Sequence, residues 1–182
     1  MPFISGLTQL HSLSIVGMAK NTGKTECLNY VLRRLWDEYP QVSLALTSIG
    51  IDGERRDQVT QTDKPEICLH PGTVFVTAEK FYRNKLVAAE IVGIDEQYTT
   101  SLGRAIYAKS KGTGKVLIAG PASTGGLKHI IRKMRDRDID LTIIDGALSR
   151  ISLAAPSVSE GMILATGAAY SVQPEELIRK TH

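Results

Sequence analysis

The chain has little of what would assign it to a disulfide, metal-cluster, membrane or nucleic-acid class. Among 182 residues there are two cysteines, four histidines and one tryptophan. Cys27 and Cys68 have no metal-ligand spacing and form no disulfide framework, so a reducing cytoplasm is the expected compartment. Cys27 reads most simply as a helix residue facing the core. The histidines make no ligand cluster, and no serine or cysteine has a base at a spacing that suggests a nucleophile. No apolar run approaches the ~20 residues of a membrane-spanning helix, and Met1 to Leu13 lacks the basic opening of a signal peptide. Charge of one sign is scarce too. Lys and Arg total 22 against 19 Asp and Glu, a formal net charge of +3, too mild to imply nucleic acid. The basic clusters at 33–34 and 131–137 are interrupted by apolar or acidic residues, as on a solvated helix face. Repeats and low-complexity tracts are lacking. What remains is a soluble intracellular protein, expected to meet neither membrane nor nucleic acid and long enough for one domain over 1–182.

What is present alternates between two hydrophobic periods. Ser12 to Val16 is an apolar run that predicts a buried strand. From Thr25 the period changes, with Leu28, Val31, Leu32 and Leu35 making one helical stripe that ends before Pro40. Val42 to Ile49 returns to a β-rich run, so the opening is the strand, helix, strand of a parallel βαβ unit. The polar stretch Gly50 to Glu66 predicts a functional loop or a plain surface connection. Ile67 to Leu69 and Thr73 to Thr77 predict short strands around a turn, followed by a helix near Ala78 to Lys85. Leu86 to Ile94 and Arg104 to Lys109 predict β-structure, and Lys115 to Gly120, Asp140 to Gly146 and Gly161 to Thr166 predict further strands. A helix carrying Leu127, Ile130, Ile131 and Met134 falls among these, and another starts at Pro174, well placed for a first helical turn. Together these predict an α/β fold: a mostly parallel sheet covered on both faces, with a small antiparallel edge or insertion.

The glycine loop between the first strand and helix carries the chemistry. The pattern G-x-x-x-x-G-K-[ST] requires its first glycine at position 18, which is Met18; the glycine is Gly17, one residue earlier. The rest holds: Gly23 lets the backbone approach a phosphate, Lys24 reaches the terminal phosphates, and the Thr25 hydroxyl helps to coordinate Mg²⁺. A strand before and a helix after supply the context the motif needs. The predicted nucleotide-binding residues are therefore Gly17, Met18, Ala19, Lys20, Asn21, Thr22, Gly23, Lys24, Thr25 and Glu26. No N-K-x-D guanine motif can be placed after a strand, which favours ATP.

Such a loop needs a carboxylate from a second strand for Mg²⁺ or its water shell. The run "LTIIDG" ends in Asp145, where a buried aspartate demands a cation or hydrogen bonds, and Gly146 is expected to leave room beside the loop. Asp52, at the end of the second strand, is the expected second magnesium or water-positioning carboxylate, with Glu54 and Asp57 as alternatives. Lys24, Asp145 and Asp52 form the expected catalytic set, and Thr25, Asp52 and Asp145 the metal set. Ser123 and Thr124 after "KVLIAG" read either as a ligand surface or as a helix N-cap. Ala165 to Ala169 read as a border of the nucleotide base or a close-packed strand end.

"GMAKNTGKT", with five residues between its glycines, resembles the loop of the dethiobiotin synthetase, cobyrinate amidase and molybdopterin-guanine-dinucleotide accessory group. These P-loop proteins share a class with the metallochaperone GTPases. That resemblance implies a three-layer P-loop NTPase; a second loop lysine in this class contacts phosphate, at times across a homodimer interface. Lys20 is off the usual position for that role. "GMAKNTGKTECLNYVLRRL", "LALTSIGIDGE" and "IDLTIIDGALSRISLAAPSVSEGMILATGAAYS" further resemble the reactivase subunit that accompanies adenosylcobalamin-dependent lysine 5,6- and ornithine 4,5-aminomutases. The likeness implies a Mg-ATP hydrolase that acts on an aminomutase, with a companion ATPase subunit and a chain continuing beyond His182. The alternative is an ATP-dependent small-molecule ligase or kinase of the dethiobiotin synthetase type.

Overall fold

Ser12–Gly17 (β1) is buried along its whole length, as expected of a strand covered on both faces. The structure, a computed structural model, describes residues 3–52, 66–100, 102–147 and 158–181. A short helix, Phe3–Leu7 (α1), precedes β1. Lys24–Glu38 (α2) follows, then Leu44–Ser48 (β2), Ile51–Asp52 (β3), Ile67–Leu69 (β4), Val74–Ala78 (β5), Glu79–Arg83 (α3), Ala89–Thr100 (β6) and Gly103–Ser110 (β7). Gly114–Val116 (β8), Ile118–Ala119 (β9), Thr124–Arg135 (α4), Leu141–Ala147 (β10), Gly161–Ala165 (β11) and Pro174–Thr181 (α5) complete the order.

The principal sheet has seven strands in the order β11-β1-β10-β2-β5-β7-β6. From β11 to β5 every pairing is parallel, and β7 and β6 add an antiparallel hairpin at one edge. The chain is thus mixed α/β with a mostly parallel sheet. Alternation along the strands divides the core between two faces. Leu13, Ile15, Leu46, Phe75, Ile106 and Ile143 lie with α1 and with Leu28, Val31, Leu32 and Leu35 of α2. On the other face Val16, Ala45, Ile49, Val76, Tyr107 and Ile144 meet Leu127, Ile130 and Met134 of α4. Burying each large aliphatic side chain contributes about 1.5–3 kcal/mol, so these stripes hold the helices to the sheet.

Three segments depart from the sequence reading. The run 115–120 is not a strand of the main sheet: β8 pairs antiparallel with β4, and β9 with β3, in two separate two-stranded sheets. β2 has β10 and β5 on its two sides, and this apolar run packs against the sheet instead of joining it; the Thr77 hydroxyl donates to the Leu117 carbonyl at 2.7 Å. Leu86 forms an isolated bridge with Lys115, and regular pairing of the next strand begins at Ala89. Gly146 does not leave room beside the loop, because a Cβ there would lie 3.1 Å from Ile49 Cδ1 and 3.5 Å from Val16 Cγ2; it is a packing glycine.

Candidate functional site

β1 and β10 are parallel neighbours, with Ile15 opposite Asp145 and Gly17 opposite Ala147, so their carboxyl ends finish side by side. The glycine loop leaves β1 at this crest, where open α/β sheets bind ligands. Its path is set by a few internal bonds. Met18 N–H donates to the Ala165 carbonyl at 2.9 Å, tying the loop to the end of β11. The Thr22 hydroxyl donates to the Ala19 carbonyl at 2.9 Å. Asn21 has φ 60° and Gly23 φ 81°, the left-handed conformation that turns the chain into α2. Cys27 N–H then donates to the Gly23 carbonyl at 2.8 Å, starting the helix.

Gly17 has its own reason to be glycine. A Cβ there would stand 3.0 Å from Thr22 Oγ1 and 3.2 Å from Lys24 Cβ, because the loop folds back over it. The early glycine is therefore fitted to a loop that closes on its own first residue.

Lys24 opens α2, and its Nζ lies 2.6 Å from Asp145 Oδ1. The Asp145 side chain is 1% exposed and that of Lys24 17%. Two sequence-predicted site residues some 120 positions apart therefore meet as a buried ion pair. Thr25 follows in the first turn and is half-buried, while Glu26, Asn21 and Lys20 are exposed. The N-terminal turn of α2 carries backbone N–H groups that favour an anion. Burial pushes the Cys27 thiol up, away from the thiolate form, and Cys27 packs on the core as the sequence suggested.

Beyond Asp145 the crest continues through β2. Ile49 N–H donates to the Asp145 carbonyl at 2.9 Å, the Ser48 hydroxyl to the Gly50 carbonyl at 2.7 Å, and Gly50 N–H to the Pro121 carbonyl at 3.1 Å. Ser123 is the N-cap of α4, its hydroxyl accepting from Gly126 N–H at 3.1 Å, and Thr124 is the first helical residue. Asp52 pairs through its backbone with Ile118 in the β3–β9 bridge. The Asp52 side chain, Glu54 and Asp57 lie outside what the structure describes. At the opposite flank Ala165 receives the loop's Met18 N–H, and the Cβ position of Gly167 is 3.9 Å from the Thr22 carbonyl oxygen. The 165–169 segment thus borders the glycine loop.

Sequence reasoning overlooked the Thr22–Ala19 lock, although a threonine among glycine-loop residues is a recognised source of such local turns. It also overlooked Asp95, His129 and Tyr107, a buried cluster between the hairpin and α4 with no local signature. Among the described residues no group of three or more His, Cys, Asp or Glu is placed to hold a metal ion by itself. No family model, curated protein or solved structure matches the chain.

Proposed function

We propose that the chain binds Mg-ATP at the glycine loop and hydrolyses it slowly, as an ATPase acting on a protein partner. The observation that carries this reading is the meeting of Lys24, at the start of α2, with Asp145, at the end of the neighbouring strand. A phosphate anion needs the ammonium and the first helical N–H groups, and Mg²⁺ needs oxygen donors. The donor set fits. The Asp145 carboxylate and the Thr25 hydroxyl are the hard oxygen ligands Mg²⁺ prefers, and this ion is commonly held by one or two carboxylates plus substrate phosphates. Mg-ATP would supply the scissile phosphoanhydride and the remaining ligand oxygens. Gly17 and Gly23 keep side chains out of the loop's path, Lys24 holds phosphate charge, Thr25 and Asp145 hold the cation, and Asp52 is the proposed water-positioning group.

The partner rests on the resemblance of the glycine loop, the second strand and the 139–171 segment to the aminomutase reactivase subunit. In that role binding energy and hydrolysis open a cobalamin-dependent aminomutase, either directly or with a companion ATPase, so that spent cofactor can leave. Phosphate release from ATP by the purified chain should be slow and should rise when an aminomutase or the companion subunit is added. Lys24→Ala and Asp145→Asn should abolish it. Absence of stimulation by either protein would count against the reactivase role. A small-molecule ligase or kinase is the second reading, favoured by the junction that brings Pro121, two residues before the Ser123 cap of α4, to Gly50, beyond Asp145. A product formed from ATP and a candidate acid or amine, with release of ADP and without any protein partner, would select it.

A further inference from the structure

The Lys24–Asp145 contact puts the group required for phosphate and the group required for magnesium on each other. At 2.6 Å, with Asp145 1% exposed, the pair sits where charge interactions are strong and an uncompensated carboxylate is costly. An ammonium that already neutralises a buried carboxylate has less attraction left for an incoming polyanion. Pulling it fully onto a phosphate would set Asp145 beside the phosphate's negative charge without the ammonium that now lies 2.6 Å away. A divalent cation at Asp145 changes this balance, because it takes over the carboxylate and repels the ammonium.

We propose that Asp145 is an internal competitor of the nucleotide phosphate for Lys24, and that Mg²⁺ relieves this competition by taking Asp145. Resting on the Mg-ATP reading above, the proposal gives Asp145 a second role. Besides holding the cation, it disfavours nucleotide that arrives without one. Selection of the magnesium complex is then built into a single ion pair at the crest of β1 and β10.

Calorimetric titration of ADP and of a non-hydrolysable ATP analogue, with Mg²⁺ and with EDTA, tests this on folded protein checked by thermal melting. Wild type should bind the magnesium complex tighter than free nucleotide by on the order of tenfold or more, the scale of a close buried charge pair. Asp145→Asn should bind magnesium-free nucleotide tighter than wild type does. In a Lys24→Met background the same change should bring no gain, since no ammonium is left to release. A gain that persists there would show simple repulsion of the anion and overturn the proposal, as would no gain in Asp145→Asn alone. Should Asp145→Asn not fold, wild type and Lys24→Met decide: the magnesium dependence must be smaller in Lys24→Met, and an unchanged ratio overturns the competition. Wild type that binds Mg-nucleotide but gives the wrong pattern in the variants leaves the ATPase reading standing. Wild type that binds no nucleotide under either condition removes both.

Discussion

His129 Nε2 lies 2.8 Å from Asp95 Oδ2 and joins α4 to the edge hairpin of β6 and β7. The same carboxylate accepts the Tyr107 hydroxyl; the N–H groups of Gln97 and Tyr98 both donate to it at 2.9 Å, and the Tyr98 ring leans on the imidazole with centroids 4.7 Å apart. Burial pushes the Asp95 carboxyl up, but these donors outweigh it and hold the group below its ordinary value of 3.8. Tyr107 is raised in turn by burial and by the carboxylate beside it.

Removing this hub should cost more than a surface change. Asp95→Ala leaves several buried donors without an acceptor, so a loss of about 3–5 kcal/mol is expected in urea unfolding; Asp95→Asn, which keeps the shape, should lose less. The pH dependence has a definite sign. Because the folded value lies below the unfolded one, Asp95's contribution is present above that ordinary value and is lost as pH falls through the lower, folded one. Urea midpoints measured from about pH 5 to about pH 2.5 should drop less steeply in Asp95→Asn than in wild type. Parallel slopes would show that Asp95 is not linked to folding.

The parts of the fold legible in the sequence are those set by local period. Ser12 to Val16 and the run ending at Asp145 are apolar because both faces are covered, and their strand ends announce the loop and the carboxylate. Residues 115–120 have the same apolar signature, yet their place depends on pairing with β4 and β3, a long-range fact. The Asp95 hub is invisible for a similar reason: its partners come from 97, 98, 107 and 129 and meet only after the hairpin folds onto α4. Gly17 is intermediate. Its offset marked the loop as unusual, but the close approach of Thr22 and Lys24 that demands glycine is known only from the folded path.

The only tryptophan stacks on a histidine: Trp36 and His70 have ring centroids 4.7 Å apart at an interplanar angle of 15°. Burial lowers the His70 pKa below 6.5, with Asp37 opposing and Arg33 assisting. Protonated imidazole quenches indole emission better than the neutral ring, so Trp36 fluorescence should fall on acidification with a midpoint below 6.5. His70→Gln should abolish the step. Folding should weaken in the same window, since the unfolded chain takes up this proton first: His70's contribution is complete above the unfolded value and is lost as pH falls to the folded one. A fluorescence midpoint above the ordinary histidine value would contradict the desolvated stack.

Gly17→Ala and Gly23→Ala should separate two demands of the loop. Ala at 17 meets Thr22 Oγ1 and Lys24 Cβ at 3.0 and 3.2 Å, an over-packing that costs about 1–3 kcal/mol and displaces the lysine. Ala at 23 has open space but must adopt φ 81°, a cost of about 1 kcal/mol. Stability should therefore fall in both, and affinity for the proposed nucleotide more in Gly17→Ala. Calorimetric titration beside thermal melts would show this; equal affinities in the two variants would refute the close-approach argument.

Gly120 sits under a harder constraint. A Cβ there would collide with the Ser48 carbonyl oxygen and lie 2.7 Å from Thr47 Oγ1, and the first of these is backbone of a central strand that cannot rotate aside. The chain at 120 must move instead, breaking Gly120 N–H to the Gly50 carbonyl at 2.9 Å and Gly50 N–H to the Pro121 carbonyl. Gly120→Ala should cost about 3 kcal/mol or more, at or beyond the upper end of ordinary over-packing. Gly112→Ala, with nothing within 4 Å of the new methyl, should stay within about 0.5 kcal/mol of wild type. Because Ile49 N–H also binds the Asp145 carbonyl, the shift at 120 should reach the candidate site and lower affinity for the proposed nucleotide in Gly120→Ala, but not in Gly112→Ala. Matching denaturation midpoints for the two alanine variants would show that residue 120 approaches the Ser48 carbonyl less closely than this contact requires.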